Sequence, residues 1–422
     1  MIFTDKNFKP DTRFDGLIPS TNKVWLSSPT VHGEEQHWVY EAIRTNWLTT
    51  LGANVNAVED EFKAMLGRKE AVAMSSATAA LHLAVRLAAE KLYGSAPVNK
   101  PLLSGKKVFC SDMTFDATVN PVAYEGGEAV FIDTEPDSWN MSPEALDKAF
   151  DKYPDVKIVV LAHLYGTPSK LDEIINLSKQ HGALIIEDAA ESLGATYNGI
   201  QTGTFGDYSV ISFNGNKIIT GSSGGMLLTD DIDGAKKIRK WSTQARDDAA
   251  WYQHTELGYN YRMSNIIAGV VRGQIPYLES HIAQKRAIYE YYRDGLSDLP
   301  VAMNPIPDNT KANYWLSCLT IDKGAMCYQK RDDHIAEFET ATGKTCPSEI
   351  LSALSSFNCE GRPIWKPMHM QPIYKNMDFI STSQGNDVGA DIFERGLCLP
   401  SDNKMTRESQ DLVIEIIHRC FK

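Results

Sequence analysis

Tyr208-Ser-Val-Ile-Ser-Phe-Asn-Gly-Asn-Lys217 runs on into Ile-Ile-Thr-Gly-Ser-Ser-Gly-Gly225. The apolar half reads as a short buried strand, and Asn-Gly-Asn is a turn signal. A single lysine stands at that turn, ahead of a Gly/Ser-rich segment. An ammonium at the end of a buried strand is costly unless it is used. Desolvation lowers its pKa and frees the amine to attack a carbonyl, which is how Schiff-base lysines arise. The plainer alternative is a surface lysine in a loop, the commoner case for an isolated lysine.

Upstream, Ala183-Leu-Ile-Ile-Glu-Asp-Ala-Ala-Glu-Ser-Leu-Gly194 is an apolar strand ending in two acids. Strand C-termini in α/β sheets face ligands. A buried Asp188 needs a cationic partner or it protonates. A pyridinium nitrogen would be such a partner, and the pair would make the ring a better electron sink. A helix-capping role for Asp188 is the alternative. Further upstream, residues 70–76 form a short strand that enters the helix-like run Ala77-Thr-Ala-Ala-Leu-His-Leu through Ser75-Ser76. Amides and hydroxyls at such a helix start suit a phosphate, though simple N-capping reads equally well. Phe115 follows another strand, where it could stack on a planar ring or serve as core. Gly258-Tyr-Asn-Tyr-Arg-Met-Ser264 is a polar and aromatic turn, ambiguous by itself. In combination, a phosphate cup, an aromatic lid, an acid at a strand end and a lysine at the next are what pyridoxal 5'-phosphate requires.

Short apolar runs at 107–110, 129–133, 157–162, 183–187 and 208–213 alternate with helix-like segments at 117–124, 142–152 and 169–180. This alternation predicts an α/β fold, a mostly parallel sheet with helices on both faces. Residues 225–229 add a strand. Helical spacing is expected at 34–47, 57–66, 233–246, 262–279, 282–296, 329–342 and 409–421, with a strand over 313–321. The expected division is an N-terminal arm over 1–30, a large domain over 31–289 and a smaller C-terminal α/β domain over 290–422. The 422 residues, 43% hydrophobic and 23% charged, suffice for both. A net charge of −12 without a basic block argues against nucleic acid. No long apolar stretch or secretory leader is evident, so a soluble cytoplasmic protein without membrane contact is expected. Seven dispersed cysteines read as free thiols. The ten histidines lack zinc-site spacing, so no metal is expected.

At these residues the chain resembles the DegT/DnrJ/EryC1/StrS sugar aminotransferases, a fold-type I, aspartate-aminotransferase-like group. The resemblance runs from about residue 22 to the C-terminus. It is carried by Ser75-Ser-Ala-Thr-Ala-Ala-Leu-His82, Thr114-Phe115, His163-Leu-Tyr-Gly166, Glu187-Asp-Ala-Ala-Glu-Ser-Leu-Gly194, Gly203-Thr-Phe-Gly-Asp207 and the lysine segment. It implies that Lys217 is the Schiff-base and proton-moving lysine and that Asp188 pairs with the pyridine nitrogen. Ala77, Thr78 and Ser212 would bind phosphate, with Phe115 stacked on the ring. Glu191 would sit near the phenolic oxygen, where the family more often has Gln or His. Asn260 would reach the phosphate bound by a neighbouring subunit, which implies a homodimer with shared active sites. Family members that dehydrate carry histidine at the lysine position, so Lys217 favours transamination.

Phe213-Asn-Gly-Asn-Lys217, Arg362-Pro-Ile-Trp-Lys-Pro-Met-His-Met-Gln371 and Gly396-Leu-Cys-Leu-Pro-Ser401 resemble bacillosamine-type enzymes, which make 4-amino-4,6-dideoxy-N-acetylhexosamines on UDP. The implied donor is L-glutamate. The implied acceptor is a UDP-linked 4-keto-6-deoxy-N-acetylhexosamine destined for a surface glycan. Thr49, His163, Trp365 and His369 are the expected substrate contacts. A 3-keto sugar aminotransferase, a PLP-dependent sugar dehydratase and a non-catalytic binding protein on the same fold are the alternatives.

Overall fold

The structure, a computed structural model, describes residues 9–98, 100–332, 335–383 and 385–422. Its centre is an eight-stranded sheet. From one edge the strands are Glu70–Met74, Gly225–Thr229, Tyr208–Ser212, Leu184–Asp188, Ile158–Ala162, Lys107–Ser111, Glu128–Ile132 and Asp378–Ile380. Gly225–Thr229 runs antiparallel to both neighbours and every other pairing is parallel. The strand order reverses between Lys107–Ser111 and Ile158–Ala162, so a crevice opens at the carboxyl ends of the central strands.

Each central strand is a short apolar run because both sheet faces are covered. Side chains alternate between them. Ile158 and Val160 pack with helix Ala77–Tyr93 on one face. Val159 and Leu161 pack with helices Pro143–Lys152 and Leu171–Gln180 on the other. Phe109 and Phe150 meet edge to face there, centroids 4.9 Å apart. A second, four-stranded sheet is ordered Val301–Met303, Ser317–Ile321, Gly396–Leu399 and Arg362–Pro363. It forms its own core with helices Leu278–Gly295, Pro347–Ser356 and Arg407–Cys420. The described part of the expected arm docks into that core through Phe14 and Val24. Residues 1–8 of the arm lie outside the described residues.

Several expected elements are corrected. The helix over 329–342 is instead an antiparallel pair, Gln329–Arg331 with Ala336–Phe338, with residues 333–334 outside the described set. Arg331 is drawn into the fold by donating to the Phe393 carbonyl, 2.8 Å away. The helix expected to reach 246 stops at Trp241, because Gln244 and Ala245 take left-handed φ of 58° and 52°. The two helices expected at 262–279 and 282–296 are Asn265–Gln274 and Leu278–Gly295, joined by the 3-10 turn Ile275–Tyr277. Pro276 lacks the amide a continuous helix needs there. Helix Ala53–Leu66 starts before 57 because the Asn265 carboxamide oxygen accepts the Asn54 and Val55 amides at 3.0 and 3.3 Å. A cap supplied from so far along the chain has no local signature.

All seven cysteines are free and buried. Among the described residues no helix is long and apolar enough to cross a membrane. Truncating Phe109 to Ala empties a site with no solvent exposure, and should cost about 3–5 kcal/mol in urea unfolding.

Candidate active site

A cavity of 290 Å³ occupies the crevice at the carboxyl ends of the central strands. Lys217 reaches it from the turn after Tyr208–Ser212, where its amide donates to the Asn214 carbonyl at 2.9 Å. The Lys217 side chain is 11% exposed, and Nζ lies 3.6 Å from Glu191 Oε1. Burial lowers the lysine pKa, against the opposing charges of Glu191 and Asp188. A Trp315 ring faces the same nitrogen, with its centroid 3.9 Å away.

Asp188 enters from the next strand. Its carboxylate accepts the Thr118 hydroxyl at 2.7 Å and the Ala190 amide at 3.0 Å. Thr118 and Thr114 hydroxyls lie 2.7 Å apart, which fixes the Thr118 rotamer. Burial raises the Asp188 pKa more than these donors lower it. Glu191 is pushed up to about 7, chiefly by burial, against the effects of Lys217 and the Tyr165 amide. That amide donates to Glu191 Oε2 at 2.7 Å. Tyr165 and Gly166 adopt left-handed φ of 52° and 93°. A Cβ on Gly166 would lie 1.9 Å from Asn313 Oδ1, so only glycine lets this turn close on Asn313.

The start of helix Ala77–Tyr93 forms the opposite wall, with Ser76, Ala77 and Thr78 on the cavity. Ser76 caps the helix by accepting the Ala79 amide at 3.0 Å, which leaves the preceding amides to the cavity. Gly224 and Gly225 pack against this start. A Cβ on Gly225 would stand 2.5 Å from the Ala77 nitrogen. The capping reading of the Ser-Ser-Ala-Thr segment thus holds, and the same helix start borders the cavity.

Of the residues singled out from sequence, Ala77, Thr78, Phe115, His163, Asp188, Glu191, Ser212, Lys217 and Trp365 line the cavity together. Phe115 is 59% exposed, and its ring meets Trp365 edge-on with centroids 4.9 Å apart. His163 is turned inward as well, its Nε2 3.1 Å from Glu187 Oε1. Three residues stand apart from the lining. Thr49 is exposed in a loop whose carbonyl accepts the Asn265 amide. Asn260 is exposed and pairs with Thr243. His369 bridges two carboxylates, Nδ1 2.8 Å from Asp112 and Nε2 3.1 Å from Asp387. Its ring also stacks on Phe379 at 4.0 Å. Thr118, Asn313 and Trp315 were not singled out. Thr118 lay inside an expected helix with nothing to mark it, and the other two arrive from about a hundred residues beyond Lys217.

These groups fit pyridoxal phosphate: a helix start that only a glycine at 225 lets the neighbouring strand approach, a buried carboxylate held by neutral donors, and a buried amine in one cavity. Beside it opens a groove of 720 Å³ that shares Thr114, Phe115, Asn216, Trp315 and Trp365 with the cavity.

His369 generates a stability prediction. Burial opposes its charge, but Asp112 and Asp387 raise its pKa from 6.5 to about 10. A raised pKa stabilises the fold fully below 6.5, and that contribution is lost as pH rises through 10. The stability gap between wild type and His369→Gln, measured by denaturant unfolding, should be widest near pH 6 and should narrow towards pH 10.

Residues 29–418 match the DegT/DnrJ/EryC1/StrS aminotransferase family. The chain is 42% identical over 404 residues to EpsN of Bacillus subtilis (strain 168), provisionally named a pyridoxal phosphate-dependent aminotransferase, covering 94% of this chain and 96% of EpsN. It is 29% identical over 401 residues to a GDP-perosamine synthase of Caulobacter vibrioides, covering 94% and 98% of the two chains. Among solved structures it superposes with a TM-score of 0.78 on PseC, an aminotransferase of Helicobacter pylori involved in the biosynthesis of pseudoaminic acid. That match has 20% identity and covers 95% and 99% of the two chains.

Proposed function

We propose, from the premise that this chain belongs to the DegT/DnrJ/EryC1/StrS aminotransferase family, that it moves an amino group from L-glutamate to C4 of a UDP-linked 4-keto-6-deoxy-N-acetylhexosamine. The product would serve surface-glycan biosynthesis. The observation that carries this reading is the meeting of Lys217 and Asp188 in one buried cavity beside a helix start. The adjoining groove has room for a large acceptor, with Trp25 and Trp365 as flat apolar surfaces; Arg362 and Lys366 line it together with Asp116 and with Glu360, which pairs with Arg362.

The chain's residues divide the work. Amides at the start of helix Ala77–Tyr93, with Ser212, would hold the phosphate of the cofactor. Asp188, oriented by Thr118 and the Ala190 amide, would pair with the ring nitrogen of the cofactor and keep it protonated. When bound, pyridoxal phosphate supplies an electrophilic carbon and a sink for the electrons of the substrate carbon. Burial shifts Lys217 towards the neutral amine, the form in which Nζ would take the proton from the donor carbon and return one to the acceptor carbon. Phe115 and Trp365 narrow the mouth, and Trp315 forms the wall against Lys217.

Asn260 lies outside the cavity of its own chain, in keeping with a residue that completes a second copy's site in a homodimer.

Lys217→Ala should lower turnover by roughly 10³-fold or more while the fold is retained. L-glutamate added to the wild-type holoenzyme should convert the visible cofactor band to the amine form, and L-glutamate should fail to do so in the variant. A screen of UDP-, GDP- and TDP-linked 4-keto sugars tests the acceptor. Preference for a GDP sugar would reject the UDP assignment. Mixing inactive Lys217→Ala with inactive Asn260→Ala should restore part of the activity if sites are shared, and none if each chain works alone.

A further inference from the structure

Aminotransfer requires a lysine that spends part of each cycle unattached. A free lysine on a flexible stem would sweep the cavity that substrate must enter. The described cavity holds a place for it. Nζ of Lys217 lies 3.9 Å from the centroid of the Trp315 ring and 3.6 Å from Glu191 Oε1. Neither partner is free to drift. Trp315 is 2% exposed, its indole N–H donates to the Asn216 carbonyl at 2.7 Å, and its amide donates to Asn313 Oδ1 at 2.9 Å. Its carbonyl accepts from Lys285 Nζ at 3.1 Å, and Lys285 is itself 1% exposed and also bonded to the Ser401 carbonyl at 2.9 Å. The other Glu191 oxygen is occupied by the Tyr165 amide.

We propose that Trp315 and Glu191 form a docking site for the unattached Lys217 ammonium, a cation held between an indole face and a carboxylate. The proposal rests on the reading of Lys217 as the cofactor-bonding lysine, and it assigns Trp315 a part in the reaction. An aromatic face attracts a cation most strongly where water is excluded, and a nearby carboxylate adds to it. Together they oppose the burial that drives Lys217 towards the neutral amine. They thus set what fraction of Lys217 is ready to react, and they park the remainder against the wall. The other charges around Lys217 are Asp188, which also favours the ammonium, and Lys285, which meets Trp315 on its backbone carbonyl.

The test reads Lys217 in the full-length chain stripped of cofactor. The pH dependence of Lys217 modification by trinitrobenzenesulfonate, followed by peptide mass spectrometry, yields a midpoint for the amine. Removing either partner should lower it: by about 0.5–1.5 pH units in Trp315→Leu and by about 1 unit or more in Glu191→Gln. Trp315→Phe keeps a ring face and should retain most of the wild-type midpoint. Circular dichroism and the melting temperature identify any variant that has lost its fold, and Trp315→Phe then carries the comparison with Glu191→Gln. Midpoints that stay fixed or rise in both Trp315→Leu and Glu191→Gln overturn the docking site, as does a Lys217 that no pH makes reactive. Borohydride reduction of the holoenzyme tests the underlying reading separately. Cofactor fixed on Lys217 with unmoved midpoints sinks the docking site alone, whereas cofactor fixed elsewhere sinks the assignment of Lys217.

Discussion

Glu187 has no solvent exposure, yet burial does not neutralise it. Its carboxylate accepts from His163 Nε2 at 3.1 Å, the Gly203, Phe205 and Gly206 amides at 2.6, 2.8 and 3.0 Å, and the Ser209 hydroxyl at 2.7 Å. Burial works against ionisation, but these donors outweigh it and hold the pKa at about 2. The bonds run to the end of Ile158–Ala162, to the 203–206 loop and to the strand that leads to Lys217. One charge thereby ties three segments at the crevice. Gly206 must be glycine for this, since a Cβ there would stand 2.8 Å from the Glu187 Cβ.

Strand alternation does the rest. If Glu187 points into this knot, Asp188 must point the other way, into the cavity. Its partners there, Thr118 and the Ala190 amide, are too few to offset burial. Two neighbouring acids on one strand therefore differ in chemistry: the first is saturated and structural, the second is short of a cation. Glu191, one turn on, is intermediate, with one amide donor and Lys217 nearby. The cavity is a balance among Asp188, Glu191 and Lys217, each strained by burial in a direction that a charged ligand would relieve. Exposed Phe115 and half-buried Trp365, packed edge to face, stand between that balance and the larger groove.

Much of this was legible in the residues. The short apolar strands and the acid and lysine at successive strand ends followed from periodicity and turn chemistry, because both are local properties. The misreadings share one cause. Spacing alone predicts a helix over 329–342, and it takes no account of the missing amide of Pro276 or of the left-handed pair at 244–245. In each case a distant partner or a backbone constraint overrode the apolar pattern. His369 was expected at the sugar because of its neighbours in sequence. Within this chain it bridges Asp112 and Asp387, partners from distant segments that its neighbours in sequence do not reveal.

By itself, the sequence determined the α/β alternation and the chemical inventory: which acid, which lysine and which helix start could serve a phosphate-bearing aldehyde. These depend on neighbours a few residues apart. Tertiary structure alone decided that Trp315 would lie against Lys217, that Thr118 would orient Asp188, and that Asn265 would start a helix from across the fold. It also decided that Asp378–Ile380 would return to the edge of the large sheet. Such contacts join residues from dozens to hundreds of positions apart. Their energy appears only after the core has closed, so no local pattern in the chain records them.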